Sequence, residues 1–280
     1  MNIMGVGQAG TAIAEQFENF PQYEVCFIDV KNKHNKKNFF RIKEQQSHEE
    51  YESNYKPLSL KKIKKNVTII VSGAGKISGI VLRLIKQLGN RNISILYIKP
   101  DQSTCTEKQN LRHNLVSGVL QQYVRSNLLT NIFLVSNSHV ERALDNISIS
   151  NYWQDINNII CSTYHMINVF ENTEPVLSSL VDPGKTSKII SLGVVGFETF
   201  NEKLFYELQS PRLKKYFFGV SQKTLSEEKD LLHRIRNYVK EKSEQEEKCD
   251  SCFAIYTTEY EKNYVYCCAY KPQKKKKKKK

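Results

Sequence analysis

Two stretches of this 280-residue chain carry the same signature: an apolar run, a glycine turn, then helical spacing. Residues 1–6 are apolar, Gly5–Gly10 is glycine-rich, and Thr11–Phe20 places Ile13, Phe17 and Phe20 on one helical face. The second copy runs from Val67–Val71 (VTIIV) through the turn Ser72–Gly79 into Ile80–Leu88, with apolar residues at 81, 84, 85 and 88. Strands are also predicted at 24–30 (EVCFIDV), at Ile93–Ile98 before Lys99-Pro100, and at Asn131–Val135, with a helix at about 107–126 between the last two. Strand, turn and helix repeated in this way imply an α/β domain with a doubly wound parallel sheet. Ligands of such sheets bind at the carboxyl ends of the strands.

The remainder reads differently. Lys31–Lys65 is polar, lysine-rich and free of glycine, and predicts a loosely organised connection with little core. Tyr152–Phe170 reads as one long helix, in which Trp153, Tyr164 and Phe170 are expected as core aromatics. Beyond it come strands at Lys188–Val195 and Tyr216–Val220, and an amphipathic helix at Ser226–Lys242 opened by Ser226-Glu227-Glu228. Cys252–Thr258 and Asn263–Tyr270 predict a hairpin around Glu259–Lys262. The expected division is a nucleotide-binding domain at 1–150, a central helix at 151–172, a smaller α+β domain at 173–271 and a poly-lysine tail at 272–280.

Composition narrows the function classes. With 40% hydrophobic and 25% charged residues, the chain has the balance of an ordinary globular protein. No stretch reaches the roughly 18 uncharged apolar residues that span a bilayer. The N-terminus runs straight into a strand without an export signal, so a cytoplasmic location and seven reduced cysteines are expected. The net charge is +13, but the run Lys274–Lys280 supplies seven of those charges. Seven adjacent ammonium groups repel and must be solvated. They form either a solubilising tail or a tether to DNA, to a DNA-bound adaptor, to another acidic partner or to an anionic membrane. Cys249-x-x-Cys252 with Cys267-Cys268 invites a zinc reading. Neighbouring strand residues point to opposite faces, however, so at most three thiols converge, and no metal ligand set is assigned.

The chemistry lies in the turns. Gly5-Val6-Gly7-Gln8-Ala9-Gly10 follows a strand and opens a helix, so bare backbone can bring N–H groups to a phosphate at a positive helix end. With Asp29 at the end of the second strand, Gly5, Gly7 and Gly10 also fit a dinucleotide fold and an NAD(P)-dependent oxidoreductase. That reading gives Gly73–Gly79 no particular role. Two glycine turns on successive units can instead clasp a triphosphate from two sides. Gly73–Gly79 lacks the glycine, lysine and Ser/Thr spacing of a P-loop.

At these residues the chain resembles the tubulin/FtsZ family, in particular its divergent bacterial, plasmid and phage members. Gly7-Gln8-Ala9-Gly10-Thr11-Ala12-Ile13 resembles the first phosphate loop of tubulins, and Gly73–Gly79 looks like the glycine-rich signature loop. Lys99-Pro100 and Val135-Ser136-Asn137 are similar to later strand ends, and Asp155 stands near the start of the long helix. The resemblance implies a GTP site formed by Gly7, Gln8, Ala9, Gly10 and Thr11 with Gly73, Ala74, Gly75, Lys76 and Ser78. It also implies that Gln8 lies near the phosphates and a Mg2+ ion, that Asn137 and Asp155 read guanine, and that Tyr152 stacks on it.

The departures carry information too. Lys76 and Ile77 replace the threonine and glycine of the signature loop, and β-branched Ile77 resists the conformations glycine allows. The hydrolytic loop best matches Asn172-Thr173-Glu174-Pro175-Val176-Leu177, which leaves Glu174 as the catalytic candidate and puts Leu177 where a second acid belongs. Glu171 and Asp182 are the alternatives if the register slips. The resemblance thus implies a GTP-binding cytoskeletal protein that polymerises head to tail, with hydrolysis slowed or lost. A non-catalytic scaffold that keeps the fold but binds no nucleotide is the further alternative.

Overall fold

A computed structural model describes residues 1–32, 36–144 and 147–273. The tail Lys274–Lys280, with the tether expected of it, lies outside the described residues. The chain divides into two compact units, 1–138 with 146–161, and 139–145 with 162–280.

The first unit alternates strands and helices. In chain order it contains β1 (Asn2–Val6), α1 (Gly7–Gln16), β2 (Glu24–Asp29), β3 (Phe39–Arg41), α2 (His48–Ser53), β4 (Asn66–Ser72) and α3 (Ile80–Leu88). These are followed by β5 (Asn92–Lys99), α4 (Glu107–Arg125), β6 (Asn131–Ser136), and the start of α5 (Asn137–Ala143) and of α6 (Tyr152–Phe170). The sheet order is β3-β2-β1-β4-β5-β6, every pair parallel. Because helices cover its faces, β1 and the middle of β4 are buried throughout and read as apolar runs rather than alternations. The core packs Ile69, Val71 and Ile95 against Leu84 and Leu88 of α3 and Val116 and Leu120 of α4. Each such side chain contributes roughly 1.5–3 kcal/mol through burial.

Two expectations need correction here. Within 31–65 the structure holds β3 and α2, buries Tyr51 and Leu60, and packs Ile42, Tyr55, Leu58 and Ile63 on the core. Apolar residues there come in ones and twos among lysines, so no period shows in the sequence. Trp153 is not a core aromatic but 63% exposed, unlike the buried Tyr164 and Phe170.

In the second unit, α6 ends and Phe170 stacks on Phe217 and Tyr256, with ring centroids 6.0 and 4.4 Å apart. The chain then forms β7 (Leu177–Ser178), β8 (Ile189–Val195), β9 (Glu202–Leu204), β10 (Leu213–Ser221), α7 (Gln222–Glu227), α8 (Leu231–Gln245), β11 (Asp250–Thr258) and β12 (Tyr264–Lys271). The sheet order is β8-β12-β10-β11-β7, with β9 on β8. β11 and β12 therefore form no hairpin. β10 lies between them, parallel to β11 and antiparallel to β12. The connection crosses the end of β10, where the Ser221 amide donates to Asn263 Oδ1 at 2.8 Å and Asn263 Nδ2 donates to Thr224 Oγ1 at 3.0 Å.

The helix expected at 226–242 is likewise broken into two. Ser221 Oγ caps α7, accepting from the Thr224 amide, and α8 starts afresh at Leu231. In one continuous helix Leu225 and Leu231 would be about 240° apart. The break lets both pack on one cluster with Ile235, Tyr238 and Val239. The buried ammonium of Lys214 on β10 is paired with Glu202 at 2.7 Å and with Glu246. Burial alone would lower its pKa, but the two carboxylates outweigh that and hold it charged.

All seven cysteines are free thiols, and no group of three His, Cys, Asp or Glu able to hold a metal occurs among the described residues. No helix among them is long and apolar enough to cross a membrane.

Candidate functional site

The first turn is built around Gly7, whose φ of +71° lies in the left-handed region that favours glycine. The chain leaves extended Val6, turns at Gly7 and enters α1 directly. No side chain caps the helix, and its first turn holds no acidic residue. The leading amides of α1 have no intrahelical partner and sit at the positive end of the helix dipole, which suits an anion. Gly10 lies behind the turn. A Cβ there would come within 2.3 Å of the Ile70 carbonyl oxygen, so this glycine seats α1 against β4. Thr11 Oγ1 is engaged locally, donating to the Gly7 and Gln8 carbonyls at 2.9 and 3.1 Å.

The second turn uses its residues differently. Gly75 is extended and leads into a 3-10 turn, Lys76–Gly79, which runs on into α3. Ser78 is fully buried, and its hydroxyl donates to the Gly75 carbonyl at 2.7 Å. Gly73 is buried against a polar pair: a Cβ there would fall 1.8 Å from the Tyr97 hydroxyl, which itself lies 2.7 Å from His113 Nδ1. Burial drives that phenol well above its ordinary pKa. Burial, and then the Lys99 charge, lower the imidazole. Burial thus disfavours the charged form of each, and the hydroxyl also donates to the His113 carbonyl oxygen at 3.3 Å. Lys76 is exposed.

The two turns touch. Ile77 Cγ2 sits 2.5 Å from where a Gly7 Cβ would stand. Beside this contact lies a cavity of about 450 Å3, lined by Gly7, Gln8 and Ala9 from the first turn and by Gly75 and Ile77 from the second. Asn137 at the start of α5, and Trp153 and Asn157 on α6, complete the wall. Among the described residues, no charged side chain lines it. Residues 153 and 157 are about 40° apart on a helix, whereas 155 is turned by about 200° from 153. Asp155 accordingly does not line the cavity, nor does Tyr152, whose ring meets Trp153 edge-on at 5.0 Å. Gly10, Thr11, Gly73, Ala74, Lys76 and Ser78 also lie outside the wall. The sequence marks Trp153 only as an expected core aromatic and does not single out Asn157; their i, i+4 spacing is the signal that places both on one face.

Asp29 belongs to a smaller cavity of about 160 Å3 beside Gln8 and Thr11, and its Oδ1 accepts from the Val30 amide at 2.8 Å.

In the second unit, Asn172 and Thr173 close the end of α6 by donating to the Asn168 and Val169 carbonyls, each at 2.8 Å. Glu174 is exposed. Leu177 pairs with Ile255 in the sheet and is 37% exposed. Of the alternative acids, Glu171 accepts from the Tyr270 hydroxyl at 3.3 Å, and Asp182 accepts from the Gly184 amide at 2.7 Å.

No protein-family model and no curated sequence matches the chain. Solved structures do. A GDP-form protofilament of TubZ from Bacillus thuringiensis serovar israelensis superposes with a TM-score of 0.68 at 16% identity, covering 96% of this chain and 84% of that one. CetZ2 from Haloferax volcanii, described as a GTPγS-bound protofilament, gives 0.67 at 12% identity over 96% and 92%. An empty FtsZ dimer from M. jannaschii gives 0.65 at 9% identity over 96% and 87%. This chain has the tubulin/FtsZ fold. In a tubulin/FtsZ-fold chain, the two touching glycine turns and the uncharged cavity lie at the carboxyl ends of β1 and β4, the crevice where open α/β sheets bind their ligands.

Proposed function

We propose that this chain binds GTP in the cavity beside its two glycine turns and assembles with copies of itself head to tail. The observation that carries this reading is the meeting of four elements on one uncharged cavity: α1, the second turn, Asn137 and the Trp153–Asn157 face of α6. The leading amides of α1 receive phosphate oxygens, and the helix dipole adds roughly 0.3–1 kcal/mol. Trp153 offers an exposed indole face to the base, and base–aromatic stacking is worth about 1–3 kcal/mol. The amides of Asn137 and Asn157 each present a donor and an acceptor to guanine. Mg2+ would be held by the phosphates and the Gln8 side-chain oxygen, and it supplies the positive charge that this wall lacks.

Self-assembly is supported by the protofilament form of the TubZ and CetZ2 structures. Exposed Val176, Leu177 and Val181 support it independently, because apolar patches mark contact surfaces. A head-to-tail contact is heterologous and continues as a filament. Hydrolysis requires a carboxylate to orient the attacking water. Glu174 alone is available in its loop, since Leu177 cannot take that role, and turnover is slow or lost. The working division is a nucleotide domain at 1–150, a central helix at 151–172 and a C-terminal domain at 173–271. The protein acts in the cytoplasm, with the lysine tail engaging DNA or an acidic adaptor.

Trp153 is the only tryptophan, so its fluorescence reports on the cavity directly. Saturable quenching by GTP and GDP, together with a GTP-dependent pellet on high-speed sedimentation, is the expected result. The order 3-2-1-4-5-6 and the Asp29 cavity are shared with dinucleotide folds. Quenching by NADH with indifference to GTP would therefore replace this reading with an oxidoreductase.

A further inference from the structure

The first unit holds a second, larger cleft of about 770 Å3, between the end of β3 and the stretch from α2 to Leu58. Its volume falls within the roughly 300–1,000 Å3 typical of small-molecule sites. Tyr51, Tyr55, Leu58, Ile42 and Ile80 give it an apolar and aromatic floor, and Arg41, Lys43 and Lys56 stand around it. No carboxylate lines it, and none of the three cations makes an ion pair among the described residues. Three like charges around one concave apolar surface repel one another, and the low-dielectric walls concentrate their field. The three side chains are exposed and screened by water and salt, and an anion held in the cleft would pair with them directly.

The walls are held in place without a ligand. Gln87 of α3 accepts from the Leu58 amide at 3.1 Å, donates to the Leu58 carbonyl at 2.6 Å and receives the Tyr55 hydroxyl. Asn54 Nδ2 donates to Gln45 Oε1 at 3.1 Å. Ligand binding here would not first have to order the chain, which removes part of the usual cost of association.

We propose that this cleft is a second ligand site for an amphipathic organic anion, with its apolar or aromatic body on the tyrosine floor and its acidic head among Arg41, Lys43 and Lys56. The site is separate from the cavity beside the glycine turns and does not depend on GTP binding there.

The test uses the full chain with 8-anilinonaphthalene-1-sulfonate as probe, in the presence of saturating GTP. N-phenyl-1-naphthylamine, the same aromatic body without the sulfonate, is titrated in parallel. One saturable site that prefers the sulfonate is expected. Its affinity should fall about tenfold or more when Arg41, Lys43 and Lys56 are all changed to Gln, since three exposed ion pairs of roughly 0.5–1 kcal/mol each are lost together. Quenching of Trp153 by GTP in that variant reports separately on the first cavity and should be unchanged. Equal binding of the neutral analogue, or wild-type affinity in the triple variant, would overturn the proposal. Flotation with phosphatidylglycerol but not phosphatidylcholine vesicles, lost in the triple variant, would assign the acidic head to a lipid. Probe binding without flotation would assign it to a soluble anion.

Discussion

The two glycine turns occupy equivalent places on neighbouring strands, yet they use glycine for different ends. In the first, Gly7 supplies a left-handed backbone and α1 begins at once, leaving its amides free. In the second, no glycine has a positive φ. Gly73 makes room for the Tyr97–His113 pair, and the polar atoms of Ser78 are spent within the turn. The first turn leaves free the amides on which the proposed phosphate site depends, while the second is a packed strut that holds Ile77 against the first. Similar spacing in sequence thus hides a division between an open helix start and a packed support.

The largest effect separates glycines that pack from glycines that do not. Gly10→Ala would drive a methyl group to 2.3 Å from a backbone oxygen that cannot move aside. Gly75→Ala meets nothing closer than 3.7 Å and keeps a negative φ. Gly10→Ala should cost about 2–3 kcal/mol in denaturant unfolding. Gly75→Ala should stay within about 0.5 kcal/mol of the wild type. Equal losses would mean that the turns are not specialised.

Next comes the contact itself. Gly7→Ala adds a clash with Ile77 to the strain of a left-handed alanine, roughly 1–2 kcal/mol for the backbone alone. Ile77→Ala in the same chain should remove the clash and leave the backbone strain. A double-mutant cycle should show about 1–2 kcal/mol of coupling, and additivity would separate the two turns.

For binding, Trp153→Ala should weaken GTP by about ten- to hundredfold, the equivalent of losing one stacked base. Asn157→Ala should cost about tenfold, near the 1.5 kcal/mol of a typical hydrogen bond. Asp155→Ala should leave affinity within about twofold. Calorimetry measures all three, and a large effect at Asp155 would reverse the assignment between 155 and 157.

These outcomes bear on what the sequence made legible. The first sheet was readable because each strand is a buried apolar run and each turn is marked by glycine. The ends of α6 were readable because its apolar period stops sharply at Phe170. That β11 and β12 form no hairpin was not readable, because adjacency along the chain does not reveal that β10 slips between them. Nor was the break at Glu228–Asp230, whose cause is the shared packing of Leu225 and Leu231 on one cluster. Around the cavity, α6 contributes Trp153 and Asn157 rather than Tyr152 and Asp155, a difference of helical angle that residue types alone do not reveal.

The smallest effect probes the support beneath the second turn. Burial lowers the pKa of His113 below its ordinary value, with Lys99 adding to that. The folded state then binds a proton here less readily than the unfolded chain, where histidine titrates near about 6.5. The contribution to stability is therefore complete above that value and diminishes as the pH falls below it, since the unfolded state gains the proton first. His48 and His165 are also lowered by burial and act in the same direction. The melting temperature should fall between pH 7 and pH 5, and His113→Gln should flatten part of that slope while keeping a hydrogen-bonding side chain opposite Tyr97. If His113 supports the second turn rather than only the core, GTP affinity in wild-type protein should fall over the same interval and become less pH-dependent in His113→Gln. A melting slope that flattens while the pH profile of GTP affinity stays unchanged would confine His113 to the core and leave the second turn's support to its other contacts.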